Sequence, residues 1–215
     1  MLPAMTTYSR RRLLTTGAVG GMALIAAPAA AVGATPAPVD DDVAYLQIAS
    51  VAKLVSIALF ERALSTNNLL RGDERPLVRA IRRDEVAHRA AIDAVLAADA
   101  PTAADYFVLI PAWAFKDAHG VAQFGLQIEE ITGGAVLGGA PVIVDSATRA
   151  LLSRVNAADS QHLAQLRALR GVRPTGGKLP GVMPLERAAR RLDAYLTVDA
   201  PSARRLAPTL RRNLA

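Results

Sequence analysis

Residues 157–169 read AADSQHLAQLRAL. At helical spacing Leu152, Val155, Leu166 and Leu169 form one apolar stripe through this stretch, and Asp159 and His162 fall on the same stripe. An apolar stripe faces a core. A carboxylate and an imidazole therefore stand where leucine would pack better, and an isolated buried carboxylate costs several kcal/mol unless a cation or an ion pair offsets it.

Two other segments carry the same interruption. In a helix beginning near Glu74, the residues Ile81, Glu85, His88, Ile92 and Val95 share one face at steps of four, three, four and three. In a later one, Phe115, Ala122, Leu126, Glu129 and Val136 do so. Two helices thus pair an acid with a histidine three residues on, which sets both side chains on one side of a helix less than a turn apart, and a third carries a lone Glu. Carboxylate and imidazole together suit Fe, Mn or Zn. His119 also lies on a stripe, but three turns from Glu129, and reads as a partly exposed polar residue rather than a ligand.

The rest of the chain frames these helices. It has 215 residues, 52% hydrophobic and only 4% aromatic, with no cysteine. This Ala-, Leu- and Arg-rich composition reads as mostly helical. The lack of cysteine excludes disulfides, thiolate metal sites and a cysteine nucleophile. The spacing predicts a first helix from Asp40 to about Asn67, its acidic start suited to the helix dipole. A second is predicted over about Glu74 to Ala98, a third over Ala112 to Leu137, and a fourth from near Asp145 to Arg170, capped by Gly171. Beyond a Gly/Pro-rich loop, PLERAARRLDAYL sets Leu185, Ala188, Leu192 and Tyr195 on one face of a short amphipathic helix. Four long helices predict an all-α four-helix bundle, with a long Trp-bearing crossover between the second and third.

Residues 1–34 read as an address: a basic start, an apolar run from Leu13 to Ala27, and small residues before a cut after Ala31 or Ala34. Ser9-Arg10-Arg11-Arg12-Leu13-Leu14 resembles the twin-arginine export motif, with Arg10 and Arg11 as the pair. The apolar run is short and Gly-rich for a membrane span. This reading divides the chain into a signal peptide (1–34), a linker (35–42), the bundle (43–171), and a loop, short helix and basic tail (172–215). It places the mature protein in the periplasm, in the cell envelope or outside the cell. The formal charge is +6, three of it from Arg10, Arg11 and Arg12 in a leader without acids; the remainder, near +3, argues against a nucleic-acid partner.

The stretches DEVAH (84–88), EEITGGAVLGGAP (129–141) and ADSQH (158–162) followed by LRALRG resemble the ferritin-like superfamily, in particular its exported bacterial members. That resemblance implies a ferritin-like bundle in which six ligands hold two metal ions: Glu from the first helix, Glu-x-x-His from the second, Glu from the third and Glu-x-x-His from the fourth. Position by position it assigns Glu85, His88, Glu129, Asp159 and His162, with Asp in place of Glu at 159. The first helix departs, with Ala52 where Glu is expected. The tyrosines expected seven residues after each lone Glu are Leu59 and Val136. Glu61 is nine residues from Ala52, about 13 Å along the helix, too far to substitute.

Two functions follow. One is a metal-binding envelope protein with one or two Fe or Mn ions and residual oxidase or ferroxidase-type activity. The other is a non-enzymatic scaffold or interaction protein, with the metal site lost, in which Glu85 and Asp159 pair with His88 and His162 as internal salt bridges. The chain could also form homo-oligomers. The basic tail, with seven Arg against three acids over residues 184–215, is a candidate contact for anionic lipid or an envelope polymer.

Overall fold

The computed structural model describes residues 40–175 and 181–198. The expected signal peptide and the Arg pairs of the tail lie outside the described residues. Among the described residues there are four long helices, α1 (Asp40–Ser65), α2 (Glu74–Leu96), α3 (Ala118–Gly139) and α4 (Ser146–Leu169), followed by the short α5 (Leu185–Asp193). The third helix begins six residues later than its periodicity suggests, because Ala112–Phe115 form a separate 3-10 turn and Asp117 starts α3 by accepting a hydrogen bond from the Gly120 N–H at 2.8 Å.

Contacts between named side chains fix the topology. Glu61 of α1 meets Arg82 of α2, and Ser50 meets Asp93, so these helices run antiparallel. Close approaches of Gly125 to Leu166 and of Gly133 to Asn156 make α3 and α4 antiparallel in the same way. Gly125 also meets Phe60 and Gly139 meets Tyr45, which makes α1 and α3 antiparallel. It follows that α2 and α3 run parallel. A parallel pair cannot be joined by a tight turn, so residues 97–117 must travel the length of the bundle, as the predicted crossover requires.

α1 packs against α2, α3 and α5, and more lightly against α4. By length and composition it is apolar enough to cross a membrane, yet 78% of that stretch is buried inside the protein, which accounts for its apolarity as a core helix. The α2 stripe buries Val78, Ile81, Glu85, His88, Ile92 and Leu96. Val95, expected on that stripe, is instead 39% exposed, since a step of four from Ile92 keeps to the buried face better than a step of three. The α4 stripe buries Leu152, Val155, Asp159, His162 and Leu166. α4 ends as predicted: Gly171 adopts φ 70°, its N–H donates to Ala168 and the Val172 N–H to Arg167.

Two features were not foreseen. Tyr106–Val108 of the crossover (β1) pairs antiparallel with Leu196–Val198 (β2), pinning the crossover to the segment after α5. Asp42, read as a favourable charge at the start of α1, is fully buried and accepts the Val144 and Asp145 N–H groups at 2.9 and 2.8 Å, tying α1 to the loop before α4.

Candidate metal centre

The polar stripe residues converge midway along the bundle. α2 supplies Glu85 and His88, α3 supplies Glu129, and α4 supplies Asp159 and His162, all buried. All five predicted positions come together, while His119 is exposed and apart from them. Ala52 is fully buried in the apolar core, as is Leu59 at one tyrosine position, and Val136 at the other is buried at 7% exposure. Glu61 pairs with Arg82 at the surface, away from the cluster.

The acid–histidine pairs that the scaffold reading expects are present, and they are closest between helices rather than within one. His88 Nδ1 lies 3.1 Å from Asp159 Oδ1 and 3.9 Å from Glu85 Oε1. His162 Nδ1 lies 2.8 Å from Glu85 Oε1 and 3.8 Å from Asp159 Oδ1. Each imidazole is thus closer to the acid of the facing helix. The rings stack with centroids 5.7 Å apart. None of these four atoms makes a hydrogen bond of acceptable direction with another protein atom, close as they are. Buried polar atoms left in this state are open to a further partner.

That arrangement passes a metal-fit test. One donor atom from each of Glu85, His88, Asp159 and His162 can be chosen so that all lie within 4.8 Å of one another. Bonds of about 2.0–2.1 Å in a tetrahedron require donors about 3.3 Å apart. The four distances above, 2.8 to 3.9 Å, bracket that value. Asp84 stands behind His162, its Oδ2 3.6 Å from Nε2. A carboxylate there fixes ring orientation and keeps Nδ1 toward the cluster. The contact with His162 also holds the Asp84 carboxyl below its usual range.

Glu129 is placed differently. Its nearest partner is Lys53 of α1, 1% exposed, whose Nζ lies 2.7 Å from Asp159 Oδ2, 2.9 Å from Glu85 Oε2 and 3.4 Å from Glu129 Oε2. Burial pushes the Lys53 ammonium toward losing its proton, but the charges of Asp159, Glu129 and Glu85 outweigh it and hold the group charged. Burial pushes Glu85 up, yet Lys53 and His162 bring it down to about 2. Glu129 goes the other way: burial and the charges of Asp159 and Glu85 raise it well above the usual carboxylate range. Burial lowers His162, but the contacts with Asp84 and Glu85 dominate and raise it to about 10.

Lys53 and Asp84 are the site residues that sequence reading missed. Lys53 had a signal: it is the only charged residue between Asp42 and Glu61, in an otherwise apolar helix. Asp84 had none beyond standing next to Glu85.

A model of the ferritin-like domain family matches residues 41–172. The chain belongs to the ferritin-like domain family. The matched residues contain all of α1 to α4 except Asp40, and every residue of the cluster, so the family assignment and the site rest on the same segment. A search of curated proteins finds no match.

Proposed function

We propose that this ferritin-like protein is exported by the twin-arginine route and binds Fe or Mn in the cell envelope through Glu85, His88, Asp159 and His162. The observation that carries the reading is a buried group from two helices, Glu85, His88, Asp159 and His162, whose ligand atoms lie within 4.8 Å of one another, with acid–histidine distances of 2.8 to 3.9 Å. Two carboxylates and two imidazoles form a donor set suited to Fe, Mn or Zn. The leader motif at Arg10 and Arg11 supports export, and a route that carries folded proteins is compatible with a metal acquired beforehand.

A redox ion in this site would supply one-electron chemistry, such as oxidation of Fe(II) as a substrate with dioxygen or peroxide as the oxidant. The protein's part is to hold and exclude. Glu85 and Asp159 supply charge, His88 and His162 set the ligand field, Asp84 orients His162, and Ile81, Ile92, Leu152 and Leu166 line the same buried faces and keep water away.

Elemental analysis of protein purified without chelators tests the reading. Bound Fe or Mn that survives dialysis is expected, and its loss in the His88→Ala/His162→Ala double variant. Full metal content in that variant would overturn the assignment of these ligands. The scaffold reading draws support from Lys53, which already offers the buried carboxylates a positive charge. Metal-free protein with intact helices by circular dichroism would favour it.

A further inference from the structure

Glu85, Glu129 and Asp159 bring three carboxyl groups from three helices into one dry volume, and such a cluster requires positive charge. Lys53 delivers it from α1, the remaining long helix. The way the oxygens are shared is the informative detail. Glu85 turns Oε2 to the ammonium and Oε1 to His162 Nδ1. Asp159 turns Oδ2 to the ammonium and Oδ1 to His88 Nδ1. Both carboxylates therefore bridge two positions, the quartet of donors on one side and Nζ on the other, as carboxylates bridge two cations.

We infer that the Lys53 ammonium is the built-in second cation of this centre, so that the site accepts one divalent ion at the Glu85–His88–Asp159–His162 quartet and is closed to a second. The inference rests on the quartet being a metal site. It departs from the two-ion arrangement that the ligand pattern alone implies. That pattern has lost its first-helix carboxylate at Ala52, and one residue on, the same helix supplies a cation. A second ion would have to expel a side chain that is 1% exposed and held by three acidic partners. Lys53 also holds Glu129, the third acid of its own cluster, on the ammonium side at 3.4 Å.

Zn(II) is the suitable probe, because it binds carboxylate and imidazole without redox chemistry. The purified protein, stripped and titrated with Zn(II), is expected to bind one ion per chain. Lys53→Arg keeps the charge and is expected to remain at one. Lys53→Met frees three carboxyl groups and is expected to rise to two. Two ions in the unaltered protein, or one ion in a folded Lys53→Met, would overturn the inference. No ion in the unaltered protein but uptake by Lys53→Met would overturn the one-ion inference, leaving the quartet as a site that Lys53 holds shut. No ion in either would overturn both readings. Should Lys53→Met fail to fold, ¹⁵N NMR of lysine-labelled protein decides. A slowly exchanging Nζ signal, absent from Lys53→Arg, is expected to persist after Zn(II) loading; its loss on loading would overturn the inference.

Discussion

Burying Lys53 among Glu85, Glu129 and Asp159 sets two penalties against each other, since both the ammonium and the carboxylates lose water. Removing one partner of such a group leaves charge uncompensated, at a cost of about 3–5 kcal/mol. Lys53→Met should lower the stability of the stripped protein by about that amount in urea unfolding, and added Zn(II) should restore part of it. Asp84 acts at one remove, through His162 Nε2. Asp84→Asn should weaken metal binding about 10–100-fold in a chelator competition while leaving the helices unchanged; unaltered affinity would mean that His162 is oriented by its own packing. At this scale the acids and histidines were legible, because a 3.6-residue period alone puts Glu85, His88, Asp159 and His162 on buried faces. The cross-helix pairing of His88 with Asp159 was not, since it depends on how two helices are rotated against each other. Lys53 was legible in principle, as a lone charge in an apolar helix, but a long flexible stem gives no sign of where its charge will end.

Among the elements, α3 shows why a glycine-rich run belongs in a helix that its composition would otherwise weaken. Residues 181–183 lie across it: the Met183 N–H donates to the Gly134 carbonyl at 2.9 Å, and a Cβ on Gly138 would stand 2.3 Å from the Met183 carbonyl oxygen. Gly to Ala in a helix interior ordinarily stabilises by about 0.5–1 kcal/mol. Here the sign should reverse: Gly138→Ala should destabilise by about 1–3 kcal/mol through overpacking against backbone, measured by thermal unfolding. A stabilised variant would show that the segment is free to lift. Helix ends were readable where a cap was, as at Gly171. The pairing of β1 with β2 was not, because three-residue strands some ninety residues apart carry no periodic signal and are chosen by where the crossover and α5 come to rest.

The whole molecule follows from the parallel course of α2 and α3. It obliges the chain to cross the bundle once, and brings α1, with Lys53, against α2 and α3 while α4 faces α2. Bundle and crossover were legible because four long periodic segments admit few arrangements and only one connection was long. What the sequence pattern could not show was the content of the centre: a ligand set missing its first-helix carboxylate is compatible with two ions, one or none. The fold adds an ammonium where the three remaining helices gather their acids, and the proposed single ion rests on that placement. The most direct test is an anomalous-scattering crystal structure of the metal-loaded protein. It should show a single peak among Glu85, His88, Asp159 and His162, with Lys53 Nζ still between Glu85 and Asp159. Two peaks, with Lys53 turned out of the cluster, would contradict the account.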